Sequence, residues 1–170
     1  MRAMLLLLAT ACTHQPPNAA VSTHATASIS AVLAPAAGEA TTSESDVLRD
    51  AIQQRMARHG LTASVGAHVH AGRSTEARLQ LAADASTSDH IVIVEAEPVF
   101  VSQVAGRYRW KVGVTVTIAP REELSASRSW SWKIPVFLRF YHQREAWALD
   151  GAVPILQRDL DKALAEYLGT

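Results

Sequence analysis

Two runs of strict alternation constrain the fold more than any other feature of the chain. Between Arg107 and Ile118, Tyr108, Trp110, Val112, Val114, Val116 and Ile118 share one parity, and Arg107, Arg109, Lys111, Gly113, Thr115 and Thr117 share the other. Successive side chains of a strand point to opposite faces, so this segment is a strand with one core face and one solvent face. Arg128, Trp130, Trp132, Ile134, Val136 and Leu138 repeat the pattern, and Pro120-Arg121-Glu122-Glu123 between the runs reads as a turn. Pro135 has no N–H to give to a ladder, which makes the second strand an edge strand or interrupts it there. Upstream, His90-Ile91-Val92-Ile93-Val94 is apolar without alternation, as expected of a central strand covered on both faces. It extends toward Val101 and turns at Gly106.

The rest of the pattern supplies helices to cover that sheet. Ile29 to Pro35 reads as a first strand. Ser43 or Ser45 caps a helix running to about His59, with Glu44 and Asp46 suiting its positive N-terminal end. Its apolar stripe is Val47, Leu48, Ala51, Ile52 and Met56, and Gly60 stops it. Leu61 to His70 alternates like a half-buried strand. Ser74 caps a second helix to about Ala85, with Ala77, Leu81 and Ala85 on one face. Asp150 to Val153 introduce a last helix with Pro154 in its first turn and Ile155, Leu156, Leu160, Ala163, Leu164, Tyr167 and Leu168 as its apolar face. The expected order is β-α-β-α-β-β-β-α, an α/β (α+β) fold with a single mixed sheet of about five strands and three helices packed on it. Residues 29–170 form that single domain.

Bulk properties narrow the function by exclusion. The net charge is zero, from 16 basic and 16 acidic residues, so no basic excess points to nucleic acid. The one cysteine, Cys12, cannot make an internal disulfide or a Cys-x-x-Cys metal knuckle.

Its position is informative. Met1-Arg2-Ala3-Met4 is a short positive start, Leu5 to Ala9 an apolar run, and Ala9-Thr10-Ala11 a small-residue end before Cys12. These are the three parts of an export signal. The run is far short of the ~20 apolar residues of a membrane span. Leu8-Ala9-Thr10-Ala11-Cys12 resembles the lipobox of bacterial lipoproteins, although Ala9 stands where that motif usually has Leu. The resemblance implies a signal peptide over 1–11, cleavage before Cys12, and acylation (palmitate-type chains) of that residue. Residues 12–28, rich in Thr, Ser, Ala and Pro, then read as a flexible tether. Thr13 after the cysteine, by the same resemblance, implies the outer membrane, with the domain facing the periplasm.

The element order resembles a group of envelope lipoproteins. A leucine-striped helix, a small-residue helix, the run Ser88-Asp89-His90-Ile91-Val92-Ile93-Val94 and a long hairpin closing into a final helix look like the TolB amino-terminal domain, penicillin-binding-protein activators and the curli-secretion lipoprotein. The stretch Tyr108 to Leu168 is also similar to the lipopolysaccharide-assembly lipoprotein. Both resemblances imply a role without catalysis.

Candidate chemistry is sparse. His68 and His70, at i and i+2, share a strand face and are a possible start to a metal site, with His59 or His90 as further ligands, but no third ligand stands at motif spacing, so no metal is expected. Glu95 and Glu97 share a face, and Arg107 and Arg109 across the hairpin are their natural partners. No nucleophile elbow, dinucleotide fingerprint or phosphate loop is present, so neither an enzyme nor a cofactor is expected. Two surfaces stand out. Arg107, Arg109 and Lys111 make a basic stripe suited to an anionic glycan, a lipid headgroup or an acidic protein. Trp130, Trp132, Phe137, Phe140, Tyr141 and Trp147 crowd one stretch, with Phe137, Arg139 and Tyr141 opposite the core face. Aromatic residues and Arg are the usual anchors of interfaces. Arg107, Arg109, Lys111, Phe137, Arg139, Tyr141 and Trp147 are therefore the candidate partner-binding residues. The expected role is a non-catalytic outer-membrane lipoprotein serving as an accessory, assembly or scaffold subunit of an envelope complex with a protein partner. The alternative is a periplasmic lipid- or glycan-binding lipoprotein with an apolar pocket.

Overall fold

The computed structural model describes residues 25–33, 44–66, 69, 74–139 and 145–169. Eight principal elements follow in the expected order. They are β1 (Thr26–Leu33), α1 (Glu44–Arg58), β2 (Thr62–Val65), α2 (Thr75–Asp84), β3 (His90–Val104), β4 (Arg107–Pro120), β5 (Arg128–Arg139) and α3 (Glu145–Leu168). The five strands form one mixed sheet in the order β2-β1-β3-β4-β5. β1 runs parallel to β2 and β3, while β3, β4 and β5 are antiparallel neighbours.

The alternation of β4 works as a partition. Trp110, Val112, Val114, Val116 and Ile118 are buried on the face covered by α1 and α3, together with Ile134 and Val136 of β5. Among the described residues the opposite face is buried at one end, where Leu79, Ala82 and Ala83 of α2 pack on Ile91, Ile93 and Ala119. Ile91 to Val94 are almost wholly buried because they lie where both faces are covered. β5 is an edge strand, and its pairing with β4 continues through Pro135 without a break. The missing N–H therefore faces away from the ladder.

Several expectations need correction. β1 begins at Thr26 rather than Ile29, because the Asp89 carboxylate accepts hydrogen bonds from both the Thr26 N–H (2.7 Å) and its hydroxyl (2.9 Å). Of the alternating run 61–70, Thr62–Val65 is strand among the described residues, with Val65 exposed at the sheet edge. α1 buries Leu48, Ala51, Ile52 and Met56, but Val47 is exposed. The helix ends as expected at Gly60, whose φ of +79° turns the chain while the Leu61 N–H reaches the Met56 carbonyl. Ser74 caps α2 by accepting from the Ala77 N–H, but the buried face is Arg78, Leu79, Ala82 and Ala83 rather than Ala77, Leu81 and Ala85. α3 starts at Glu145, so Pro154 lies inside the helix and not in its first turn. Pro154 is solvent-exposed, where water can satisfy the carbonyl that its ring leaves without a donor.

Candidate docking surface on a projecting ribbon

β1 pairs with β3 only as far as Leu33 opposite Ala96. Beyond that point β3, β4 and β5 continue as a three-stranded ribbon projecting from the sheet. β3 and β4 are joined at its tip by the two-residue turn Ala105-Gly106, with φ of +50° and +71°. Both angles are positive, as in the hairpin turns whose twist matches that of their strands, and Gly106 adopts this at no steric cost.

The ribbon has two unlike faces. On the helix side, Phe100 packs edge-on against Trp110 (centroids 5.5 Å) and tilted against Tyr108 (6.0 Å). Trp110 is buried, whereas Phe100 remains 49% exposed. A register shift at Val101 follows, and Val101 is also exposed. α3 begins near this end, since Gly151 lies against Val136 and Leu138, and it exposes Trp147. Among the described residues the opposite face is open, because α2 covers the other end of the sheet. It carries Arg107, Arg109 and Lys111 from β4 and Lys133 and Arg139 from β5, all exposed. Val99, Val104 and Phe137 are exposed beside them, and the Arg109 guanidinium lies 5.6 Å from the Phe137 ring centroid. Val104, Ala105, Arg107, Arg109 and Phe137 line a hollow of ≈ 390 Å³.

Ionisable groups elsewhere are engaged in holding the fold. Arg78, almost buried, donates to Glu95 at 2.6 Å and to Thr75 at 3.3 Å. Glu95 therefore pairs with α2, not with Arg107 or Arg109. Those arginines sit opposite Val104 and Ser102, further along the hairpin, and Glu97 is opposite Gly113. Arg55 and His59 of α1 both reach Asp161 of α3, at 2.9 and 3.3 Å. His90 contacts the Tyr167 hydroxyl at 3.1 Å. Burial holds the His90 imidazole below its usual pKa, against the pull of Asp89, and burial raises Tyr167. The Thr26 hydrogen bonds hold Asp89 below the usual carboxylate range.

The candidate residues thus separate. Arg107, Arg109, Lys111, Phe137 and Arg139 come together on one open face, and Trp147 is exposed on α3. Trp130 and Trp132 are half-buried against the core. His68, His70, Phe140, Tyr141 and Cys12 lie outside the described residues. His59 and His90 each contact a different partner, and among the described residues no three His, Cys, Asp or Glu side chains converge. No described helix is long and apolar enough to cross a membrane. Phe100, Val101, Val104 and Lys133 belong to the surface but were not singled out by sequence. Lys133 had a signal, since its parity in β5 matches Phe137 and Arg139.

No protein-family model matches the chain, and comparison with curated proteins finds no match. Among solved structures, the chain is similar to a PelC dodecamer subunit from Paraburkholderia phytofirmans, at 14% identity and a TM-score of 0.46, over 81% of this chain and 88% of that one. It is also similar to lipoprotein GNA1162 from Neisseria meningitidis, at 9% identity and a TM-score of 0.46, over 84% and 99%. A third is a minor lipoprotein from Acinetobacter baumannii, at 8% identity and a TM-score of 0.41, over 81% and 91%. At these scores the likenesses bear on no residue of this chain.

Proposed function

We propose that the protein is a non-catalytic lipoprotein of the outer membrane, anchored through Cys12 and serving as an accessory subunit that docks on another envelope protein. The observation that carries this reading is the end of the ribbon, where Phe100 and Trp147 are 49% and 44% exposed on the helix side and Val101, at the register shift next to Phe100, is 58% exposed. Large apolar side chains gathered this way are more often contact surface than incidental exposure. The lipobox-like segment before Cys12 supports the anchor, and the engagement of Glu95, His59 and His90 in structural contacts supports a role without catalysis.

The test is site-specific photo-crosslinking in cells, with the probe at Val101, at Trp147, or at Arg158 on the exposed side of α3. One envelope protein captured from Val101 and Trp147 but not from Arg158, and lost on Phe100→Ser, is the expected result. Capture of nothing, or of the same mixture from all three positions, would sink the docking reading. Unchanged membrane release on Cys12→Ser would sink the anchor.

A further inference from the structure

We propose that the open face of the ribbon is a binding face for anionic lipid headgroups, so that the domain rests on the bilayer that its anchor enters. The inference draws on the reading of Cys12 as that anchor, but concerns different residues from the protein-docking end.

The charges on this face are arranged unfavourably for an isolated domain. Arg107 of β4 lies directly opposite Arg139 of β5. Arg109 and Lys111 follow on the same face, with Lys133 one pair further, opposite Gly113. Like charges facing each other across strands destabilise a sheet. None of the five makes an ion pair with a described residue. Of the nearest described carboxylates, Glu95 is taken by Arg78, and Glu97 is a single exposed charge in the row of Lys133, across Gly113. A chain with zero net charge thus concentrates five cations on one face, and among the described residues Glu97 is the one carboxylate beside them not already paired, so an external anion would offset the rest.

The remaining features favour a lipid layer over an acidic protein. The face is an open sheet with a hollow at its tip lined by Arg107, Arg109, Phe137 and the turn, a size and chemistry suited to a phosphate-bearing headgroup, while a second hollow nearer α2 carries Glu95 and Glu97 beside Lys133. Val99, Val104 and Phe137 add exposed apolar groups among the cations, the combination that seats a surface in the interfacial layer. A lipid layer needs no complementary shape, and Lys is depleted from protein interfaces.

The placement of the strands permits the contact. β1 starts at the end where Ala27, His90 and Pro120 align, and the cations lie at the opposite end of β4. α2 stands beside the open face at the near end, with Glu76 and Asp84 exposed or partly exposed on it. Contact is therefore confined to the ribbon, and the near end is lifted by roughly one helix diameter, ~10 Å. An acyl anchor and a basic patch are two weak signals that together hold a protein on a membrane.

The test uses full-length protein with Cys12→Ser, sedimented with vesicles of phosphatidylcholine alone or with one-third phosphatidylglycerol. The N-terminal segment, positive at Arg2, is common to every variant, so the change in the ratio of the two partition coefficients between variants reports the charged face. The expected result is a clear preference for phosphatidylglycerol that falls with salt and by about fivefold per cation removed in Arg107→Ala, Arg109→Ala and Arg139→Ala. Arg158→Gln on α3 should leave it unchanged. Arg139→Glu should abolish most of it while leaving Tm equal or higher, since it places an opposite charge before Arg107, so lost binding is not lost folding. Equal binding to both vesicles, or a preference that survives Arg107→Ala/Arg139→Ala, would overturn the proposal. Absence of lipid preference, together with loss of the Val101 crosslink in Arg139→Glu, would instead assign this face to an acidic protein surface. A lipid preference without any crosslinked protein would leave this proposal standing and sink the docking role.

Discussion

Gly151→Ala tests how closely α3 seats against the ribbon strand β5. Alanine is favoured over glycine inside a helix by about 1 kcal/mol, so on propensity alone the variant gains stability. The tertiary structure opposes this. A Cβ on residue 151 would lie 2.6 Å from Cγ1 of Val136 and 3.8 Å from Cδ2 of Leu138. Ordinary contact begins near 3.4 Å, so the overlap with Val136 is ~0.8 Å. Val136 is only 5% exposed and has little room to turn away. Overpacking of this kind costs about 1–3 kcal/mol, so the net expectation is a loss of about 1 kcal/mol. In a Val136→Ala background the obstructing methyl is gone, and Gly151→Ala should then raise stability by up to about 1 kcal/mol. The coupling energy between the two sites is thus about 2 kcal/mol, well above the scatter expected of independent positions. Urea unfolding of the four proteins, with unchanged m values, measures it. If Gly151→Ala stabilises the wild type by the full propensity difference, α3 does not lie this close to β5, and the placement of Trp147 at the ribbon end fails with it.

Two further outcomes follow from the ionisable groups. Because the folded-state pKa of His90 is depressed, its stabilising share is complete above the usual histidine value and is lost as pH falls through the folded one. Asp89, also depressed, adds a second loss at more acidic pH, below the usual carboxylate value. The urea midpoint should therefore fall on acidification from neutrality, and His90→Gln should flatten only the first part of the curve; an unchanged curve in His90→Gln would refute the assignment. Arg78→Ala should cost about 1–3 kcal/mol by stranding a partly buried Glu95, while Arg78→Ala/Glu95→Gln should recover part of it. No recovery in a thermal melt would mean that Arg78 acts through packing alone.

Local chemistry made much of the architecture legible. Strict parity in 107–118 and 128–138 determined two long strands and their core faces, because a period of two can bury only one set of side chains. The unbroken run Ile91–Val94 determined the central position of β3, Ser74 and Gly60 their helix ends, and Gly106 the turn, while Pro135 left an edge strand and an interrupted strand open until the register showed unbroken pairing. Other features depended on groups distant in sequence. The start of β1 rests on Asp89, and the buried face of α2 on where Ile91, Ile93 and Ala119 present a surface. The start of α3 ahead of Pro154 depends on packing that outweighs a lost hydrogen bond. The candidate site divides the same way. Sequence parity by itself placed Arg107, Arg109 and Lys111 on one face of a strand and Phe137 and Arg139 on one face of another. Only the tertiary structure decided that these faces coincide, with Arg107 opposite Arg139. It also decided that Glu95 is withdrawn to Arg78 and that α2 packs on the far end of the sheet, away from these residues. Which residues face each other across a sheet is set by register and by the reach of covering helices, and neither is written in the periodicity of a single strand.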